Sequence, residues 1–322
     1  MTHKTKKILT IVTAVTLAMF IPASLGIYYW VNYAQKVERE RPVINPLNPI
    51  KNVILMISDG VGEYHYKAAG LSYASTDWEG YMMTDSSSGT TDSAASATAM
   101  ATGFKVKNNQ VGIKGNQNIS EYMKEQGKAV GIVTTDHLYG ATPAGFSARA
   151  NNRDQYEIIA QSQMASDIDL FMGMRGDPYY ENDPRFLTYI FPALKPMVIT
   201  ALDRLAEYED GFFLMAEGHR TDSNSHDGNL TGMITELVDF KNAVDYVVAW
   251  AKARGDTAVI VTSDHETGGL TYIGMGAGYV FTSGGVHTNV NVQFFMWGLT
   301  IKERLIDNTD IFHIIMNLVL TN

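Results

Sequence analysis

Asp222 and His226 stand four residues apart, so one helical turn or one loop can bring a carboxylate and an imidazole to the same side. An ordinary surface loop accounts for that spacing equally well. Asp264 and His265 are adjacent, and a turn there can aim both at a common ion. His287 sits in the glycine-rich stretch Gly284-Gly-Val-His-Thr288, while Asp59 and Glu217 each follow a short apolar run. Pooled, these side chains supply the oxygen and nitrogen ligands of a multi-zinc or zinc-plus-magnesium site. Sulfur contributes nothing, because the chain has no cysteine. That also excludes disulfide staples and thiolate nucleophiles.

A second kind of chemistry is written into residues 90–104, Thr-Thr-Asp-Ser-Ala-Ala-Ser-Ala-Thr-Ala-Met-Ala-Thr-Gly-Phe. The small residues after Ser93 allow a tightly packed helix that begins near Asp92-Ser93. A helix N-terminus presents unpaired N–H groups and the positive end of a dipole, a seat for phosphate. A plain helix cap would use the same residues.

The elements that must position these groups read as alternating strands and helices. Six short apolar runs, at residues 53–58, 130–134, 170–173, 212–216, 258–263 and 292–298, have the character of buried strands. Helical patterns fill the gaps at 154–165, 196–208 and 233–252, and another closes the chain at 310–320. Such alternation predicts a largely parallel sheet with helices on both faces. Three of the strands run into Asp59-Gly60, Glu217-Gly218 and Asp264-His265. Sites in open α/β sheets form at the carboxyl ends of strands.

Residues 92–99, Asp-Ser-Ala-Ala-Ser-Ala-Thr-Ala, resemble the nucleophile signature of the alkaline phosphatases, and the other motifs follow in that family's order. Residues 53–60 look like its opening strand with the metal-bridging aspartate. Ala141-Thr-Pro-Ala144 with Arg153 downstream is similar to its Ala-Thr-Pro-Ala segment and phosphate-binding arginine. Glu217-Gly218 with Asp222 and His226 resembles its Glu-Gly-x3-Asp-x3-His block, and residues 263–269 with Val286-His287-Thr288 complete the set. The resemblance covers roughly residues 50–300.

What the resemblance implies is specific. The fold would be a three-layer α/β sandwich with a mostly parallel central sheet flanked by helices. Asp222, His226 and His287 would hold one zinc, and Asp59, Asp264 and His265 a second, beside Ser93. Asp59, Thr142 and Glu217 would hold a third ion, usually magnesium. Ser93 would attack phosphate monoesters to give a phosphoserine, with Arg153 gripping the phosphate and Asp92 orienting Arg153. A homodimer is allowed. Hydrolysis of phosphodiesters or phosphonates, and a surface-anchored binding protein without turnover, stand as alternatives. Sulfatase activity does not, since Ser93 is followed by Ala94-Ala-Ser-Ala97 rather than x-Pro-x-Arg.

Three features depart from the family pattern. Only residues 154–216 separate Arg153 from Glu217, where relatives usually carry a much longer insert. Gly140 stands two residues before Thr142, where many relatives place an Asp or His that supports the third ion through water. Ser223 follows Asp222 where several relatives have a larger residue. His65, His137, His219 and His313 belong to no motif and are expected at the surface or in packing, with His219 near enough to Glu217 to approach substrate. Gly274-Met-Gly-Ala-Gly278 lacks the strand-then-helix setting of a dinucleotide loop.

The N-terminus is read separately. Lys4, Lys6 and Lys7 precede an uncharged apolar run over residues 8–31. As a helix it would span about 36 Å, against roughly 30 Å of bilayer hydrocarbon. Residues 1–31 are therefore expected to be a retained membrane anchor or a signal cleaved after Gly26, with the rest of the chain extracytoplasmic. Residues 32–50, with Pro42, Pro46 and Pro49, form a linker, and 51–322 form the catalytic domain. Residues 1–41 carry a net +4, so the remainder stands at −13. That acidic body excludes a general nucleic-acid binder and suits a protein that collects divalent cations.

Overall fold

The structure, a computed structural model, describes residues 41–73, 75–175, 178–180 and 183–320. The expected anchor or signal over residues 1–31 and most of the linker's first half lie outside the described residues.

In chain order the strands are β1 (Ile44–Pro46), β2 (Asn52–Ser58), β3 (Trp78–Met83), β4 (Ala129–His137), β5 (Leu170–Met174), β6 (Phe186–Tyr189), β7 (Phe212–Gly218), β8 (Thr257–Thr262), β9 (Glu266–Thr267), β10 (Leu270–Tyr272), β11 (Tyr279–Phe281), β12 (His287–Thr288), β13 (Val292–Trp297), β14 (Leu299–Ile301) and β15 (Leu305–Asp307). The helices are α1 (Glu63–Ala68), α2 (Ser93–Thr102), α3 (Ile119–Glu125), α4 (Ala141–Ser147), α5 (Tyr156–Met164), α6 (Leu194–Leu205), α7 (Arg220–His226), α8 (Leu230–Arg254) and α9 (Asp310–Leu320).

Nine strands form one sheet in the order β15-β3-β13-β8-β2-β7-β4-β5-β6. Its middle strands β2, β7 and β8 are buried at every position, which explains why they read as unbroken apolar runs rather than alternating ones. Successive residues of β2 serve opposite faces. Val53, Leu55 and Ile57 join a core with Met100 of α2, Phe146 of α4 and Ile311 of α9. Ile54 and Met56 join the other, with Val198 and Leu202 of α6 and Leu237, Phe240 and Val244 of α8. The result is a three-layer sandwich.

The sheet is mixed. All of its pairings are parallel except those of β13, which runs antiparallel to both β3 and β8. The sequence pattern marks residues 292–298 as a strand but not its direction. After β8 the chain stays at the sheet's carboxyl end through β9–β12, with no crossover helix to carry it back. Its next strand must therefore run the other way. Strands β3, β6 and β15 gave no clear signal, because they are short or, as in β3, exposed at alternate positions.

Helix boundaries follow from caps. Asn229 accepts from the Gly232 amide at 3.0 Å to start α8, and Gly255, at φ +76°, ends it. Asp92 caps α2 by accepting from Ala95 N at 2.9 Å, so Ser93 is the first residue of that helix. All ten residues of α2 are buried, which only a run of small side chains permits. Its neighbour α4 approaches closely enough that a Cβ on Gly145 would lie 2.7 Å from Ala97 Cβ and 2.9 Å from Ala97 C. Gly145→Ala should therefore push the Thr142 helix off the Ser93 helix and destabilise the fold by about 1–3 kcal/mol. Thermal unfolding checks this, and an unchanged Tm contradicts the contact.

Candidate metal centre

The functional side chains meet where β2, β7, β4 and β8 end. Parallel register sets Ile57 opposite Glu217 and Thr134 opposite Glu217, so Asp59 emerges one step above Glu217. Gly60 bends the chain at φ +74°, and a Cβ there would lie 2.9 Å from Asp222 Cα. Only glycine lets the two acidic segments come so close. The short antiparallel pair β9–β12 matches His287 with Thr267 and thereby brings a residue distant in sequence beside Asp264-His265.

Three groups of potential ligand atoms result: Asp222, His226 and His287; Asp59, Asp264 and His265; and Asp59, Glu217 and His219. Within each, the ligand atoms lie within 4.8 Å of one another. Asp222 and His226 do share a helical turn, in α7, with Asp222 Oδ2 3.2 Å from His226 Nε2.

The hydrogen bonds fix which ring nitrogens face inward. His226 Nδ1–H donates to the Gly285 carbonyl, and His287 Nδ1–H donates to the Thr91 carbonyl at 2.9 Å. Their Nε2 atoms then confront each other at 3.1 Å. Two imidazole lone pairs repel at that distance unless a proton or a cation lies among them. His265 is set likewise. The one proton of the Thr267 hydroxyl goes to Asp222 Oδ1 at 2.5 Å, so Thr267 Oγ1 accepts from His265 Nδ1–H at 3.2 Å. His265 Nε2 is left facing Asp264 Oδ2 at 3.1 Å, Asp59 Oδ1 at 3.7 Å and Ser93 Oγ at 3.2 Å.

Below them the carboxylates are buried and short of donors. Asp59 Oδ1, Asp264 Oδ2 and Thr142 Oγ1 have no hydrogen-bond partner, and their residues are at most 1% exposed. Burial, reinforced by repulsion from Asp264 and Asp222, pushes the Asp59 pKa well above the ordinary carboxylate range. Burial likewise lifts Glu217 to about 7, against the pull of the His219 charge. Asp222 goes the other way: burial opposes it, but the hydrogen bonds from His226 and Thr267 hold it low. His265 is kept neutral by burial, whereas the Asp222 bond raises the pKa of His226. A proton can thus fill the His226–His287 gap in acid, and a divalent cation competes for the same place as pH rises.

On the other side of Ser93, Asp92 Oδ2 accepts from Asn109 N at 2.9 Å and lies 3.5 Å from Arg153 Nη1. The Arg153 amide donates to Asn109 O at 2.7 Å, which ties the arginine's backbone to the same turn.

The alkaline phosphatase profile matches this chain over residues 50–172 and 166–303. The chain belongs to the alkaline phosphatase family. Its two matched pieces overlap at β5, the strand after which the sequence places the shortened insert. Alkaline phosphatase 4 of Bacillus subtilis is 32% identical over 289 residues, 69% of this chain and 62% of that protein's length. The alkaline phosphatase of the Antarctic bacterium TAB5 superposes with a TM-score of 0.77 at 28% identity, covering 85% of this chain and 99% of that one. A variant of the TAB5 enzyme with a histidine replaced by aspartate, solved with magnesium in its M3 site, gives a TM-score of 0.74 at 27% identity, over the same shares.

Against this family frame, each site residue named from sequence sits at the cluster or beside Ser93. His65 is a packing residue as expected: fully buried, it accepts from Gly62 N at 3.2 Å. His137 stacks on Tyr139 at 5.0 Å. His219 departs from expectation. It is neither a surface nor a packing residue but faces Asp59 Oδ2 through Nδ1 at 2.8 Å. Its place two residues after Glu217 was the available signal. Thr134, which donates to Glu217 Oε2 at 2.5 Å, had no sequence signal, and Thr267, inside the 263–269 motif, was not singled out there. Glu266, although inside a motif, is structural and accepts from Leu270 N at 2.9 Å.

The raised Glu217 pKa predicts how the metal-free chain responds to pH. A carboxyl whose folded pKa lies above its unfolded value contributes stability that is full below about 4.5 and lost as pH rises through about 7. Between about pH 6.5 and 8.5 the chelated protein should lose about 1 kcal/mol from this group, read as a falling urea midpoint. Added zinc should reverse the trend. A midpoint that rises with pH in the chelated protein contradicts the buried-carboxylate account.

Proposed function

We propose that the chain hydrolyses phosphate monoesters through a phosphoserine formed on Ser93. Two zinc ions would be held by Asp222, His226 and His287 and by Asp59, Asp264 and His265, with a third divalent ion, magnesium by the family resemblance, at Asp59, Thr142 and Glu217. The observation that carries this reading is the convergence of imidazole nitrogens and unpaired carboxylate oxygens. His265 Nε2 lies 3.1 Å from Asp264 Oδ2 and 3.7 Å from Asp59 Oδ1, with Ser93 Oγ 3.2 Å from the same nitrogen. The donor set is nitrogen and oxygen only, which suits zinc; the Asp59, Asp264 and His265 group is buried, and His226 of the other group is exposed.

Bound divalent ions would supply Lewis acidity, lowering the pKa of the Ser93 hydroxyl and of water and stabilising charge on the departing oxygen. The chain's own residues do the rest. Ser93, at the N-terminus of α2, directs its oxygen at phosphorus with the helix dipole favouring the phosphate's negative charge. Arg153, held by Asp92, receives phosphate oxygens in its planar fork. As the Ser93 Oγ–P bond forms, the P–O bond to the alcohol breaks, and the alcohol takes up the serine's proton. Water then cleaves Oγ–P to release inorganic phosphate and restore Ser93.

The same proposal extends to placement. The chain would work outside the cytoplasm, tethered by residues 8–31 or exported by them. The expected linker over 32–50 is shorter at its far end, because Ile44–Pro46 pair with β14 and Ile50 joins the core, so the catalytic domain begins near Pro42. Among the described residues no helix is long and apolar enough to cross a membrane. The spacing charge pattern and apolar run at the N-terminus support the tether.

Two results are expected with p-nitrophenyl phosphate at mildly alkaline pH. Ser93→Ala should lose about 10³-fold or more in kcat/KM. Chelation should abolish turnover until zinc is restored. A Ser93→Ala protein as active as the wild type contradicts the phosphoserine route, and faster turnover of the corresponding diester moves the substrate class.

A further inference from the structure

Position 140 cannot supply the third ion with a side chain, yet the space a side chain there would fill is taken. A Cβ on Gly140 would lie 2.2 Å from Asp136 Oδ2 and 2.9 Å from the His137 carbonyl. Asp136 comes from the end of β4, where the pairing with β5 slips between Val133 and His137 and turns the strand end inward. Its amide is held by Thr134 Oγ1 at 2.9 Å, the same hydroxyl that donates to Glu217.

His219 completes the arrangement. Its backbone amide donates to Thr135 Oγ1 at 2.9 Å, which fixes the residue at the strand ends. Nδ1 points at Asp59 Oδ2, while Nε2 lies 3.2 Å from Ser223 Oγ and 4.0 Å from Asp136 Oδ1. In the metal-free chain Nδ1–H pairs with Asp59. A cation among the Asp59, Glu217 and His219 ligand atoms would displace that proton, leaving Nε2 beside the Ser223 hydroxyl and, at longer range, Asp136 to orient the ring. The buried Thr142 hydroxyl lies beside Glu217, whose pKa it helps to lower.

We infer that His219 is a ligand of the third cation site, that Asp136 and Ser223 orient it, and that the site thereby selects a zinc-like transition ion over magnesium. The inference rests on the proposed phosphatase centre and names what this chain does differently there. Magnesium binds oxygen in octahedral sites and keeps several waters, whereas imidazole suits zinc and its neighbours. A trio of Asp59, Glu217 and His219 with Thr142 offers one nitrogen among oxygens, which favours a zinc-like ion over magnesium.

The test is metal content and spectroscopy of the full chain, stripped with chelator and dialysed against zinc and magnesium together. The wild type should retain about three zinc ions per chain and little magnesium, whereas His219→Ser should retain about two zinc ions and gain magnesium. Asp136→Asn, which keeps the ligand set, should weaken the third zinc about 10–100-fold. With cobalt in place of zinc, the third equivalent should add a visible band that His219→Ser removes. Two zinc ions plus one magnesium in the wild type, or an unchanged third zinc in His219→Ser with a native Tm, overturns the inference and leaves the phosphatase reading standing. Fewer than two zinc ions in both proteins contradicts that reading, and the inference with it.

Discussion

Everything in this molecule depends on a concentration of buried negative charge that its own donors answer only in part. Asp59, Glu217 and Asp264 are at most 1% exposed, Asp222 is 7% exposed, and two of their oxygens have no donor at all. Like charges in a low-dielectric interior cannot all ionise without counter-charge. Nε2 of three imidazoles faces this cluster and donates to it only when protonated, as His226 does toward Asp222, while His219 pairs with Asp59 Oδ2. Only protons or cations resolve that arrangement.

The fold is organised to hold this unfavourable set in place. Three fully buried parallel strands deliver acids at their carboxyl ends, and their apolar flanks anchor them in two cores, one on each face of the sheet. The small-residue helix α2 drives Ser93 into the same space because nothing on its surface is large enough to keep α4 and α9 away. Backbone carbonyls at Thr91 and Gly285 decide the tautomers of His287 and His226. Stability elsewhere in the domain thus sustains electrostatic strain at the site, and bound ions would convert the strain into affinity.

The strands that carry the site were legible in the sequence because complete burial writes an unbroken apolar run, and the acids stand out at the ends of those runs. Asp222 and His226 were legible through helical spacing, and His287 only through its motif. The outer strands β3, β6 and β15 were not, since they are short or, like β3 with Glu79 and Gly80, half-exposed, and leave no clear period. The direction of β13 depends on where the preceding loops stay, which no local pattern encodes. His219 and Asp136 were missed for a related reason. Both act through a vacancy at Gly140 and a slipped register in β4, and a missing side chain announces nothing about who fills its place.

The central claim is that cations, not hydrogen bonds, hold the three imidazoles and four carboxylates together. An anomalous-scattering map at the zinc edge from crystals of the zinc-loaded protein tests it most directly. Peaks should bond, at about 2.0–2.2 Å, to Nε2 of His226 and His287 with Asp222, and to Nε2 of His265 with Asp59 and Asp264. No peak at either place, with the rings turned to hydrogen-bond the carboxylates instead, would contradict the account.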